Sequence, residues 1–223
     1  MTVQRVRRVR PEDVTAVVGL VHELADYERE PASCTLTDEQ LRAALFGPEP
    51  ALFGHVAEVD GADGPEVVGC ALWFLNFSTW RGAHGVYLED LYVRPEHRGT
   101  GLGKALLAAL AAVCVERDYA RLEWVVLDWN EPSIRFYRSI GAAPNDGWTT
   151  FRLDGEPLAA LGALSPARPG GLERASARSL SHRPHPGPLA DQQHERSADE
   201  HAGDDAGHEL LGRAQQAVDD RQQ

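Results

Sequence analysis

Twelve consecutive residues, Val93-Arg94-Pro95-Glu96-His97-Arg98-Gly99-Thr100-Gly101-Leu102-Gly103-Lys104, carry the spacing best suited to chemistry in this 223-residue chain. Before them runs Tyr87 to Val93, the end of a strand with apolar or aromatic residues at five of seven positions; after them Leu102, Leu106, Ala109, Leu110, Val113 and Cys114 recur at helical steps. The glycines therefore fall where a strand hands over to a helix. The first amides of a helix lack internal acceptors and its dipole is positive at that end, while glycine lets an anion approach the backbone without meeting a Cβ. Arg98 adds a fixed charge, and Lys104, the sole lysine of the chain, follows at once. The spacing is neither the dinucleotide fingerprint nor a G-x-x-x-x-G-K-[ST] loop. It reads as a diphosphate cradle, with an ordinary turn as the alternative.

Two further sets of residues could do acid and base work. Glu89 and Asp90 adjoin on the strand that enters the loop, so strict alternation points them to opposite faces and only one enters a given site; Glu89 reads as the inward one. Tyr137, beside Phe136, is either a phenol available for proton transfer or a core aromatic. The three cysteines (34, 70, 114) lack metal or disulfide spacing, so no metal is expected and the thiols read as small buried hydrophobes.

The elements that must hold these groups are legible in outline. Thr2 to Arg10 reads as a strand, and Pro11 to Tyr27 as a helix with Val14, Val17, Val18, Val21, Leu24 and Ala25 on one stripe. Thr37 with Gln40 forms a capping box ahead of a short helix stopped by Gly47-Pro48. Leu52 to Val59 and Glu66 to Phe77 make a hairpin across a medium loop, and Gly85 to Val93 completes a meander. Leu102 to Arg117 is a helix, Arg121 to Leu127 a strand, and Asn130 caps a helix with Pro132 in its first turn and Gly141 as its stop. Trp148 to Leu153 reads as a last strand. The order β, α, α, β, β, β, α, β, α, β predicts an α/β (α+β) domain, a mixed sheet flanked by helices.

Composition sets the limits. All 16 aromatic residues lie at or before Phe151, and the 60 residues from Leu164 onward contain only seven Leu, Val, Ile, Phe or Met. Residues 1–163 are thus expected to form the folded domain and residues 164–223 a disordered, low-complexity tail. With 22 Lys+Arg against 34 Asp+Glu, the net charge is −12, which argues against a nucleic-acid partner. No apolar run is long enough to span a membrane, and the start lacks a signal peptide's apolar stretch, so a cytoplasmic protein is expected.

Arg98-x-x-Gly101-x-Gly103 after a strand resembles the pyrophosphate loop of the GNAT N-acetyltransferase superfamily. Tyr87-Leu88-Glu89-Asp90-Leu91-Tyr92-Val93 resembles the strand before that loop, and Asn130-Glu131-Pro132-Ser133-Ile134-Arg135-Phe136-Tyr137 its late helix. Within the superfamily the chain is most similar to diamine acetyltransferases of the spermidine/spermine type, through Leu24-Ala25-Asp26-Tyr27-Glu28 and Gly147-Trp148, over residues 3 to 160.

The resemblance implies the GNAT fold, a mixed, mostly antiparallel central sheet whose splayed strands bind acetyl-CoA. It implies direct transfer of acetyl from that co-substrate to a primary amine of a small diamine, polyamine or amino-acid-like molecule. Leu91, Tyr92, Val93, Arg98, Gly99, Thr100, Gly101, Leu102, Gly103, Lys104, Asn130 and Ser133 would hold acetyl-CoA. Glu89 would take the amine's proton through a water and Tyr137 would serve the departing thiolate. Tyr27, Glu28, Trp80, Glu89, Asp146 and Trp148 would line the amine pocket. Asp26, and Ser78-Thr79 ahead of Trp80, depart from the diamine pattern, which disfavours long polyamines and leaves a short diamine, a thialysine-like amino acid or another small primary amine. The alternatives are a polypeptide amine as acceptor or a non-catalytic acetyl-CoA-binding module. A homodimer is expected, with Leu72-Trp73-Phe74-Leu75 available to an interface.

Overall fold

The computed structural model describes residues 4–62 and 64–165. The tail expected from 164 lies outside the described residues except for Leu164 and Ser165. The chain divides into two compact units, Met1–Thr149 and Thr150–Gln223. The first holds β1 (Gln4–Arg8), α1 (Val14–Tyr27), α2 (Asp38–Phe46), β2 (Phe53–Gly61), β3 (Gly64–Ser78), β4 (Ala83–Val93), α3 (Leu102–Glu116), β5 (Leu122–Glu123) and α4 (Glu131–Ser139). In the second, α5 (Gly155–Ala163) is described.

The sheet runs β1-β2-β3-β4-β5, with three antiparallel pairings and a parallel one between β4 and β5. Its two faces bury different helices. Ala71, Trp73, Val86, Leu88 and Val93 pack with Leu102, Leu106, Leu107 and Leu110 of α3, joined by Phe136 and Tyr137 of α4. Val56, Cys70, Leu72 and Tyr92 pack with Val14, Val17, Val18 and Leu20 of α1 and Leu41 and Leu45 of α2. Each fully buried Val or Leu stabilises by about 1.5–3 kcal/mol. Leu72 and Trp73 are therefore committed to the core, both 3% exposed, and cannot serve an interface.

The local signals formed as expected. Thr37 N–H donates to Gln40 Oε1 at 3.0 Å and Gln40 N–H to Thr37 Oγ1 at 3.3 Å, the reciprocal pair that satisfies two otherwise free amides. Four features differ from expectation. The first hairpin closes tightly, with Gly61 opposite Gly64, instead of through a medium loop. The strand expected over Arg121 to Leu127 pairs only at Leu122 and Glu123, opposite Val86 and Tyr87. The reason lies in β4: Leu72 faces Asp90 while Trp73 faces Leu88, so Glu89 is an extra, bulged residue. A bulge bends its strand, and the β5 ladder ends two residues short of it.

The last expected strand, Trp148 to Leu153, is absent. The segment pairs with no described strand, and Phe151 and Leu153 remain 91% and 46% exposed. A strand without a partner leaves its amides unpaired, so propensity alone does not form one. The chain instead enters α5, which carries Leu158 and Leu161 at helical spacing and was not expected.

The sheet's outer edge is pinned by Arg7. Its guanidinium donates to both Asp13 oxygens at 2.6 and 2.8 Å and also to Glu58. The Asp13 side chain is 6% exposed. Burial alone would raise the Asp13 carboxyl, but hydrogen bonds from Arg7 and from the Arg10 amide outweigh it and hold the group below its ordinary value. Arg7→Ala leaves that carboxylate buried and half satisfied, an expected loss of about 3 kcal/mol, whereas Arg5→Ala, which opens an exposed pair with Asp60, costs under about 1 kcal/mol. Urea unfolding of the two variants checks the contrast.

Candidate active site

The diverging strands make the site. Beyond Tyr87 no described strand lies on the β5 side of β4, so the edge from Leu88 to Val93 is free for an added strand. At its end the chain passes through Pro95–His97 into the glycine loop. Gly99 (φ +76°) and Gly101 (φ +95°) both adopt the left-handed region that favours glycine, and a Cβ at either would meet nothing within 4 Å. The loop is thus open on the side where a ligand would sit. Gly101 is the N-cap of α3 and offers no side chain to the helix amides. Ala105 N–H is bonded to Gly101 O at 2.9 Å, which leaves the amides of Leu102, Gly103 and Lys104 ahead of the helical ladder. Thr100 Oγ1 donates to His97 O at 2.6 Å and fixes the turn; Lys104 is exposed at its mouth. These residues fit a diphosphate.

Arg98 does more than supply charge. Its Nε donates to Val93 O at 2.8 Å, and its guanidinium carbon lies 4.8 Å from the Tyr27 ring centroid and 5.3 Å from that of Tyr92. The loop is thereby tied to the C-terminus of α1. From the other side, Tyr27 Oη donates to Asn130 Oδ1 at 3.1 Å, and the same oxygen accepts the Ser133 amide at 3.4 Å. Asn130, 7% exposed, therefore caps α4 and joins it to α1 across the gap between the strands.

Three carboxylates and a phenol influence one another electrostatically. Burial pushes Asp90 up to about 6, with the charges of Glu89 and Glu28 adding to it. Burial also raises Glu28. Tyr137 is pushed up to about 12 by burial first and then by Glu28 and Tyr27. Its ring packs edge-on against Trp124 at 5.0 Å and beside Phe136 at 5.4 Å. The charge of Glu28 thus acts on both Asp90 and Tyr137, and that of Glu89, which is exposed, on Asp90.

The premise that Glu89 and Asp90 take opposite faces does not survive the bulge. Even-numbered Val86 and Leu88 pack toward α3, but past Glu89 it is odd-numbered Leu91 and Val93 that do, so alternation resets at this pair. Strict alternation turns Asp90 away from the site; the bulge brings it onto the same face as Glu89.

Of the expected amine-pocket residues, Tyr27 and Glu28 join this group. Trp80 (70% exposed, in the β3–β4 turn), Trp148 (68% exposed) and Asp146 (exposed) make no hydrogen bond, ion pair or ring contact with it. Among the described residues no cluster of three or more His, Cys, Asp or Glu is placed to hold a metal ion, and no helix is long and apolar enough to cross a membrane.

Comparison with known proteins agrees with this geometry. The acetyltransferase (GNAT) family model matches residues 18–142. A thialysine N-epsilon-acetyltransferase of Bos taurus is 36% identical over 163 residues, 70% of this chain and 95% of that protein. An L-ornithine N5-acetyltransferase of Arabidopsis thaliana is 28% identical, over 72% of this chain and 89% of that one. Among solved structures, an integron cassette protein from the mobile metagenome of V. cholerae superposes with a TM-score of 0.60 at 25% identity, covering 71% of this chain and 97% of the other. With the family model matching residues 18–142 and a relative 36% identical along 95% of its own length, the chain belongs to the GNAT family of N-acetyltransferases, which transfer acetyl to an amine.

Proposed function

We propose that this enzyme transfers acetyl directly from acetyl-CoA to the terminal primary amine of a small molecule, both being held at once in a ternary complex. The observation that carries the reading is the free β4 edge leading into the open glycine loop, with the charge of Glu28 acting on both Asp90 and Tyr137. The amides from Gly99 to Lys104, with Arg98, would hold the diphosphate, and Leu91 to Val93 would pair with the pantetheine arm as an added strand. The Leu91 or Tyr92 amide would polarise the acetyl carbonyl, and Asn130 and Ser133 would steady the arm further along. Acetyl-CoA supplies an activated thioester; the protein supplies proximity and proton management.

The acceptor arrives as an ammonium ion. Stripping its proton at pH 7 costs about 4.6 kcal/mol for a lysine-like amine. Glu89 and Asp90 act together on that proton. Exposed Glu89 meets the incoming cation, and a water passes the proton to the pair, whose half-buried member, Asp90, sits near 6, well placed for a base that must be ionised at neutral pH yet still accept a proton. Only the ionised base works, so kcat/KM falls below about pH 6. Asp90→Asn removes that limb, and Glu89→Gln moves it to lower pH, because Glu89's charge is one cause of the raised Asp90 value. A limb at the same pH in both variants refutes the pair.

The relatives act on thialysine and ornithine, and an amino acid of that kind is the substrate class this reading favours. A short diamine is the second reading, supported by the acidic lining and by Trp80, Asp146 and Trp148, which could close over a bound amine. Three free cysteines suit a reducing, cytoplasmic setting, and exposed Leu158, Leu161 and Leu164 suit a homodimer, which sedimentation tests. The decisive experiment is coenzyme A release against putrescine, spermidine, spermine, thialysine, lysine and a lysine peptide. Saturable release with one small amine supports the reading; release with the peptide alone refutes it.

A further inference from the structure

Arg29 stands in a costly backbone conformation for a side chain with no ion-pair partner among the described residues. It follows directly on Glu28, at the end of α1, with φ +67°. The helix closes there by Arg29 N–H to Asp26 O at 3.1 Å and Glu30 N–H to Ala25 O at 2.9 Å, a C-terminal turn in which glycine or asparagine is the usual residue. Among the described residues, only Asp118 besides Arg29 is a non-glycine at positive φ. The guanidinium carbon lies 5.0 Å from the Trp129 ring centroid, and Tyr27 meets the same indole at 6.0 Å. Trp129 immediately precedes Asn130, the residue hydrogen-bonded to Tyr27. Arg29 is therefore held on the rim of the site, exposed, beside a neighbour, Glu28, that helps raise Asp90 and Tyr137, yet it pairs with no carboxylate among the described residues.

A guanidinium lying on an indole keeps its N–H fork free for a planar anion. The anion cannot be the reacting end of the acceptor, which is an amine drawn toward three carboxylates. It suits the opposite end of a molecule that carries both charges. We propose that Arg29 determines acceptor specificity by binding the α-carboxylate of an amino acid whose side-chain amine reaches the Glu28–Glu89–Asp90 group. A polyamine offers an ammonium at that point and is disfavoured by like charge. This inference rests on the reading of the site given under Proposed function.

L-ornithine and putrescine test it, since they differ only by the α-carboxylate. With the full-length protein, Arg29→Gln is expected to lower kcat/KM for ornithine at least tenfold, through KM with kcat held, while kcat/KM for putrescine does not fall and KM for acetyl-CoA is unchanged. Arg29→Lys, which keeps charge but not the planar fork, falls between. Arg29→Gly relieves the backbone, so its loss of ornithine selectivity with an unchanged or raised Tm excludes misfolding as the cause. Equal losses on both amines, or a raised KM for acetyl-CoA, overturn the role of Arg29 while leaving the acceptor reading intact. Wild-type protein that acetylates neither compound refutes the acceptor reading, and the inference with it.

Discussion

Gly101→Asp is expected to weaken acetyl-CoA binding by about three orders of magnitude while the fold survives. Gly101 has φ +95° and ψ −5°, so any side chain there is strained by roughly 1–2 kcal/mol. The space is nevertheless open, with nothing within 4 Å of an added Cβ. Aspartate is also a favourable N-cap residue, which offsets part of the strain for α3. The damage falls on the ligand. A carboxylate set about 4 Å from a phosphate at an effective dielectric of 20 repels it by about 4 kcal/mol, near a thousandfold in Kd. Gly101→Ala isolates the strain and lacks the charge, and it should lower Tm slightly and affinity far less. Calorimetric titration of both variants, with thermal melts, separates the two effects. An unchanged Kd in the aspartate variant would remove the loop from cofactor binding.

Tyr137→Phe should lower kcat by about a hundredfold and leave acetyl-CoA affinity intact. The ring's contacts with Trp124 and Phe136 persist in the variant. The hydroxyl has no hydrogen-bond partner among the described residues, so its loss orphans nothing and Tm should hold. The pKa near 12 also fixes the kind of help this phenol gives. An ordinary thiol has a pKa near 8.5, so complete proton transfer from Tyr137 to the thiolate runs uphill by roughly 5 kcal/mol. The phenol therefore acts chiefly as a hydrogen-bond donor to the developing charge, and the proton that finally rests on sulfur comes from the acceptor nitrogen. Accordingly, kcat should show no alkaline limb from Tyr137 below about pH 10. Rates equal to wild type in the Phe variant would return Tyr137 to a packing role.

What could be read from residues alone follows the range of the forces involved. The glycine loop, α3, the Thr37–Gln40 box and the Asn130 cap formed where expected, because each is closed by groups within a few residues of one another. The strand expected over Arg121 to Leu127 shrank to two residues and that over Trp148 to Leu153 did not form, because a strand exists only if a distant edge accepts it. The same limit governs the site. Tyr27, Glu28, Asn130 and Tyr137 could be named from motif positions, but the hydrogen bond that joins Tyr27 to Asn130 spans 103 positions.

The sequence by itself determined a diphosphate-fitted loop on a helix, an acid pair ahead of it and the family these motifs resemble. Tertiary structure decided which acid is half-buried and which is exposed, since the bulge at Glu89 is a mismatch of register between β3 and β4 that neither strand encodes alone. It also decided that Arg29 and Trp129, a hundred residues apart, share one rim. Charge and hydrogen-bonding capacity are properties of single residues. Burial and proximity, which turn them into chemistry, arise only when the whole sheet and its helices are in place.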